Sequence, residues 1–256
     1  MVVYVFVVVL LIAVGACIAL VAMRQSFAAH LDRIEAKTRK PGSAEGPRSD
    51  LPSEVLALAR RVGARVDGAP GFAVFEQSGQ MWRAPGGKPM AFTARQTVRT
   101  TEPGFLWRAA MGPLRWMVAA DYLVGRTGGL EVRLLGVLSV VRMVGGADAY
   151  RGEALRYLAE LPWNPDAILR NRSLDWTVVT SNTISVATGV GTERGEVTFE
   201  LDGNGLVVRA SAASRLYVEK GRMTSRPWHG RFLGLSAHRG TAHAAPGRGS
   251  MGLRRR

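Results

Sequence analysis

The chain has 256 residues, of which 47% are hydrophobic and 21% are charged, and its net charge is +14. This composition is too apolar for a disordered chain and too charged for a bundle of membrane spans. The charge is uneven, because residues 1–50 carry +2, residues 51–226 carry +6 and residues 227–256 carry +6. The central part of the chain is therefore only mildly basic, and it is long enough to bury the core of one ordinary domain.

The N-terminal segment is apolar. The stretch from Val2 to Met23 contains no charged residue, and at about 1.5 Å per residue it would span about 33 Å, which matches a bilayer core. We therefore predict a transmembrane helix over residues 1–23 and a single-pass protein of the cell membrane. A cleaved signal peptide fits less well, because the run is long and no Lys or Arg precedes it. Basic residues follow the run from Arg24 onward, so the positive-inside rule favours a cytoplasmic C-terminal domain.

Cys17 is the only cysteine, so no disulfide within the chain is possible. It follows Val14-Gly15-Ala16, which resembles a lipoprotein cleavage box. We favour an ordinary membrane residue over a lipidated one, because the apolar run continues beyond it and the basic segment that precedes such a box is missing.

Residues 24–50 are expected to form a juxtamembrane helix and a linker. Phe27, Leu31 and Ile34 recur at helical spacing. Residues 41–50 are rich in Pro, Gly and Ser, which is typical of a linker.

Residues 51–230 are expected to form a β-rich globular domain. Alternation of apolar and polar residues predicts short strands from Phe72 onward, and residues 130–144 suggest a central strand because their second half is apolar on both faces. One helix is predicted near residues 152–161, before strands resume at Asp175. Short sequential strands imply an antiparallel meander, so we predict an α+β fold with a curved antiparallel sheet or open barrel and one or two helices.

The sequence lacks the common catalytic signatures. It contains no Gly-x-Ser-x-Gly elbow, no His-Glu-x-x-His, no Cys-x-x-Cys and no phosphate-binding loop. Its four histidines have no partners at metal spacing within the β-rich domain. We therefore predict no catalytic residues, no metal and no cofactor.

A group of polar residues leaves two interpretations open. Glu153, Arg156 and Glu160 fall on one side of the predicted helix, where such charges ordinarily form a solvated face. The alternative is a polar site built from these three residues and Asp121, which we otherwise read as a turn residue. Gln96 lies on an apolar strand face, where its amide needs partners, either to satisfy the core or to orient a ligand.

Trp and Arg are adjacent at several places, as in Trp107-Arg108 and Arg115-Trp116. Such pairs occur in single-strand nucleic-acid platforms. In a strand, however, neighbours point to opposite faces, so we expect the Trp in the core and the Arg in solvent.

Several motifs together resemble a known family. They are Phe92-x-Ala94-x-Gln96, Pro103-Gly104-Phe105-x-Trp107, Asp121-Tyr122, Glu153-x-x-Arg156-Tyr157-Leu158-Ala159-Glu160-x-x-Trp163-x-Pro165, and Pro227-Trp228-x-Gly230. Over residues 50–230 the chain is similar to a family of uncharacterised bacterial proteins, a domain of unknown function whose members often carry N-terminal membrane segments. The resemblance brings no activity and no catalytic residues. Its strand pattern is similar in kind to the curved sheets of lipoprotein carriers, whose apolar hollow is plugged by helices.

The resemblance is expected to end after Gly230. Arg, Gly, Ala and His make up 17 of the 26 residues in 231–256, and none is acidic. We expect a disordered basic tail, and we hypothesise an out-of-frame extension because the composition changes abruptly after a motif. The rival is a genuine basic arm for nucleic acid or anionic membrane.

These observations favour a membrane-anchored protein that binds an apolar or lipid-like ligand without catalysis. The candidate pocket residues are Phe92, Gln96, Phe105, Trp107, Trp116 and Trp163. One alternative is an enzyme with the carboxylate site described above. The other is a binder of anionic membrane or nucleic acid through the basic ends, although we expect no specific nucleic-acid partner. The sequence does not indicate an oligomeric state.

Overall fold

A computed structural model describes residues 1–40, 46–67, 71–82, 87–219, 222–232 and 251–255. The helices in these ranges are α1 (Val2–Thr38), α2 (Ser53–Arg61), α3 (Gly146–Ala159) and α4 (Pro165–Arg170). The strands are β1 (Phe72–Trp82), β2 (Pro89–Arg99), β3 (Phe105–Met111), β4 (Met117–Val124), β5 (Thr127–Leu134), β6 (Leu138–Val144), β7 (Asp175–Thr180), β8 (Thr183–Thr188), β9 (Gly195–Leu201), β10 (Val207–Glu219), β11 (Arg222–Arg231) and β12 (Met251–Arg255). The predicted α+β class is confirmed.

The strands form two antiparallel sheets. In the first sheet β1 to β6 pair in chain order, and β12 pairs with β1 at one edge. In the second sheet β7 to β11 also pair in chain order. Neither sheet closes into a barrel, and α3 and α4 separate them in the chain. The expected single curved sheet is therefore two open sheets, because the helical segment interrupts the meander.

The N-terminal helix docks on the outer face of the first sheet. Its first part is exposed and is long and apolar enough to cross a membrane. Its second part packs against β3 and β4, where Phe27, Leu31 and Ile34 are buried with Leu106 and Tyr122. The predicted helical face of the juxtamembrane segment is thus confirmed, and α1 runs without a break from the apolar run to this docked part.

The inner face of the first sheet shares one core with the second sheet, α2 and α3. The alternation predicted for β2 is present, with Phe92, Ala94, Gln96 and Val98 buried. Trp107 faces this core as expected. Arg108 points the opposite way, but instead of facing only solvent it pairs with Asp32 of α1 at 2.7 Å.

The prediction of a central strand at 130–144 is wrong. The chain reverses at Leu135 and Gly136, which have φ angles of 54° and 73°, and so forms the hairpin β5–β6. Strand β6 is an edge strand with exposed valines. Because both faces of this strand are apolar, the pattern is the same as that of a buried strand, and periodicity alone does not distinguish the two.

Candidate functional site

Three neighbouring strands bring polar side chains into one row on the inner face of the first sheet. Gln96 of β2 is directly opposite Trp107 of β3, and Trp107 is opposite Asp121 of β4. Residues paired in this way project on the same face of a sheet. Asp121 therefore lies within a strand, and its interpretation as a turn residue is wrong.

Helix α3 presents its charged residues to this row. Arg156 donates from Nε to Oε1 of Glu160 at 2.9 Å and from Nη1 to Oδ2 of Asp121. Its guanidinium lies 4.7 Å from the centre of the Trp107 ring and 5.3 Å from that of Phe105. Cation–π contact and two carboxylates thus hold one buried arginine between helix and sheet.

A chain of amide hydrogen bonds continues from the ion pairs into the sheet. Gln96 donates from Nε2 to Oε2 of Glu160 and accepts a bond from Nε2 of Gln77 at 2.6 Å. Trp107 donates from Nε1 to Oε1 of Gln77 at 2.7 Å. Both amides and the indole are therefore partnered inside the core, which removes the cost of burying them.

Two carboxyl oxygens near Arg156 have no hydrogen-bond partner. Oδ1 of Asp121 and Oε2 of Glu153 are buried, and no described residue donates a hydrogen bond to either. Burial, followed by the negative charge of Asp121, raises the pKa of Glu153 well above its ordinary value. Although burial opposes it, the charges of Glu160 and Asp121 raise the pKa of Arg156 above its ordinary value. The raised pKa favours the protonated form of Glu153 next to the ion pairs of Arg156.

This group of charged residues is not completely buried. The side chains of Arg156 and Asp121 keep 13% and 16% of their surface exposed. We name Asp121, Glu153, Arg156 and Glu160 together the carboxylate cluster. The expectation that the three helix charges form a solvated face is wrong, because α3 lies between the two sheets and is buried on most sides.

The candidate pocket residues fall into two groups. Phe92, Phe105 and Trp107 are buried in the core, where the Phe92 and Trp107 rings meet edge to face at 5.8 Å. Trp163 packs on the same core and contacts Phe232 at 5.4 Å between ring centres. Trp116 lies apart from them, 37% exposed at the β3–β4 turn. Cys17 is exposed on the apolar part of α1.

Gln77 is a member of this hydrogen-bonded network that the sequence reasoning missed. It is buried on β1 and shares its face with Ala73 and Phe75. The sequence does contain the signal: Gln77 follows Ala73 and Phe75 at alternate positions of one strand face, and an amide on such an apolar face needs hydrogen-bond partners, as Gln96 does.

The motif that carries the family resemblance also holds the fold together. Tyr157 donates its hydroxyl to the carbonyl of Arg99 at 3.1 Å and accepts a bond from Nδ2 of Asn171 at 2.9 Å. Asn164 donates to the same carbonyl at 3.0 Å. These bonds fasten the end of β2 to the helical segment that separates the sheets.

Within the described ranges, no three His, Cys, Asp or Glu side chains are grouped to hold a metal ion.

The sequence profile of a family of unknown function, DUF6544, matches residues 44–252. The chain belongs to this family. The expectation that the resemblance ends after Gly230 is wrong, because the match includes residues 231–252 of the basic tail. Residues 233–250 and 256 of this tail lie outside the described part of the structure. No curated protein and no solved structure matches the chain.

Proposed function

We propose that the protein is anchored in a membrane by α1 and binds a small ligand at the carboxylate cluster. The anchoring part of the proposal is supported by the apolar residues 2–23, which contact no other part of the fold closely enough to be buried. The docked part of α1 continues the same helix, so the anchor and the domain are joined without a flexible linker between them.

The ligand-binding part rests on one observation, the pair of buried and unpartnered oxygens on Asp121 and Glu153. Buried polar atoms are usually hydrogen-bonded, so two unpartnered carboxyl oxygens in one cluster need an explanation, which a bound donor group would supply. Both groups can accept hydrogen bonds, because a carboxyl group keeps acceptor capacity in either protonation state. The ligand is therefore expected to bring hydrogen-bond donors, as an ammonium or hydroxyl group does.

The surroundings of the cluster indicate the rest of the ligand. Phe105 and Trp107 lie beside Arg156 on the inner face of the sheet. Both rings are buried beneath the guanidinium, so an apolar body attached to the donor group would contact them once Arg156 moved aside. The proposed ligand is thus amphiphilic, with its polar group at the carboxylates.

Binding of a fluorescent amine tests this proposal. The full chain in lipid nanodiscs is titrated with dansylcadaverine, with empty nanodiscs measured in parallel. Saturable binding is expected, and both Asp121→Asn and Glu153→Gln should weaken it by about tenfold, since each places amide N–H donors where a ligand with donor groups needs acceptors. Asp175→Asn is the matched control, because Asp175 is an exposed carboxylate paired only with the exposed Arg194 in the contacts described. Equal affinity in all four proteins contradicts the proposal.

A second candidate function is acid–base catalysis at the same residues. The observation that favours it is the raised pKa of the buried Glu153, because a carboxyl group with a raised pKa is suited to act as a general acid. Incubating the wild type and Glu153→Gln with lipid and metabolite extracts, followed by mass spectrometry, tests it. A product formed by the wild type alone supports catalysis, and identical product profiles exclude it for these extracts.

A further inference from the structure

The turns at the two ends of the first sheet differ in composition: those at one end are apolar and those at the other end are polar. Because β1 to β6 pair antiparallel in chain order, the β1–β2, β3–β4 and β5–β6 connections lie at the same end. The last two are hydrogen-bonded neighbours, since the amide of Leu135 donates to the carbonyl of Trp116 at 2.6 Å. We name this end the hairpin edge, and it consists of residues 81–82, 87–89, 112–116 and 134–138.

The hairpin edge exposes large apolar side chains. Leu114, Leu135 and Leu138 are 99%, 67% and 61% exposed. Trp82 and Trp116 add two partly exposed indoles. The connections at the opposite end are polar, with Thr100 to Gly104 between β2 and β3 and Gly125-Arg126 between β4 and β5. Clustered exposed apolar residues mark an interaction surface.

The backbone of these turns is strained where the leucines lie. Among the described residues, positive φ outside glycine occurs only at Leu114, Arg115 and Leu135, with values of 54°, 55° and 54°. A left-handed conformation is costly for such side chains, and glycine would adopt it freely. Strain of this kind is typical of functional positions, which here display leucines outward.

Helix α1 leaves the domain at the same edge. A Cβ atom on Gly136 would lie 3.3 Å from Cγ of Arg24, so the β5–β6 turn contacts the first charged residue after the apolar run. The docked residues of α1 then run toward the opposite end, where the carbonyl of Lys37 accepts a hydrogen bond from Nη1 of Arg99 at 3.2 Å. The apolar run of residues 2–23 therefore ends next to the hairpin edge, at Arg24.

The hairpin edge is basic and so complements the charge of an anionic membrane surface. No acidic residue occurs in 81–89, 112–116 or 134–138. Lys88 and Arg115 are exposed there, and Arg24 lies alongside. Basic residues next to exposed Trp and Leu are the pattern of segments that enter the interface of an anionic bilayer.

We propose that the hairpin edge inserts into the headgroup interface of the leaflet from which α1 emerges. The domain then contacts the bilayer through three hairpin ends as well as through its anchor, which fixes its orientation on the membrane. This proposal rests on the membrane anchoring proposed above, and its occupant is anionic lipid rather than a second protein chain.

Spin-label accessibility tests the proposal on the full chain in nanodiscs of phosphatidylcholine and phosphatidylglycerol. Starting from Cys17→Ala, single cysteines are introduced by Leu114→Cys, Leu135→Cys and, as the matched control at the polar end, Glu102→Cys. Each label is measured for collision with oxygen, which concentrates in lipid, and with a water-soluble nickel complex. A further label introduced by Ile12→Cys reports on the span itself.

The labels at 114 and 135 are expected to show an oxygen-to-nickel ratio several-fold higher than the label at 102. Equal ratios at 102, 114 and 135, with the label at 12 deep in lipid, overturn the hairpin edge and leave the anchor standing. Protection of 114 and 135 from both reagents indicates a protein partner and also overturns the proposal. A water-accessible label at 12 refutes the anchoring itself.

Discussion

Removal of the Arg156 guanidinium is expected to destabilise the domain strongly. Arg156→Met keeps an unbranched apolar side chain and deletes the guanidinium that lies over Trp107 and pairs with Asp121 and Glu160. Breaking a buried ion pair from one side costs about 3–5 kcal/mol, because the remaining charges stay buried. The partial exposure of Arg156 and Asp121 places the expected loss at the lower end, about 3 kcal/mol.

Urea unfolding of the full chain in detergent, followed by tryptophan fluorescence at neutral pH, measures this loss as a shift of the midpoint. The matched control is Arg209→Met, since Arg209 pairs with Glu200 at 3.5 Å and both side chains are more than a third exposed. An exposed pair of this kind contributes at most about 1 kcal/mol. If Arg156→Met costs no more than Arg209→Met, the carboxylate cluster does not depend on the buried ion pairs, and the reasoning is refuted.

Further predictions concern the buried acid, the docked helix and the close approach of helix to sheet. Because the folded-state pKa of Glu153 is raised above its ordinary value of 4.5, the unfolded chain loses this proton first, and stability falls as pH rises above that value toward the folded pKa. Glu153→Gln should therefore be more stable than the wild type at neutral pH and equal to it near about pH 4, as measured by urea unfolding; a constant difference at both pH values would contradict this. Leu31→Ala should destabilise the full chain by about 2–5 kcal/mol, because Leu31 is buried between α1 and the sheet, whereas Leu10→Ala on the exposed part should change little; equal effects in the same assay would show that α1 is not docked. Gly128→Ala should lower the melting temperature, because its Cβ would lie 2.4 Å from the carbonyl oxygen of Ala149, whereas Gly152→Ala in open space on α3 should raise it; a Gly128→Ala protein as stable as the wild type would refute the close approach.

The fold class and many elements could be predicted because local patterns decide them. The turn at Asp202 to Gly205 is an example of such local chemistry, because Asp202 accepts hydrogen bonds from the amides of Asn204 and Leu206. The docked face of α1 followed from helical spacing alone. These features depend on residues close together in the chain.

The organisation of the site could not be predicted in the same way. Glu153, Arg156 and Glu160 are shielded from solvent because a second sheet covers α3. The sequence of the helix alone does not indicate that this sheet packs against it. The strand pair at 127–144 was missed because the chain reverses at Leu135, a residue that rarely adopts a left-handed conformation. The exposed leucines of the hairpin edge likewise depend on surroundings outside the chain, which we propose to be the membrane.

Native mass spectrometry of the full chain purified from its own membranes in mild detergent tests the central claim most directly. The account predicts a bound small molecule on the wild type that is absent from the double variant Asp121→Asn/Glu153→Gln, with the Asp175→Asn control retaining it. A wild-type protein without any bound molecule, or the same adduct on the double variant, would contradict the claim that the unpartnered carboxyl oxygens of Asp121 and Glu153 form a ligand site.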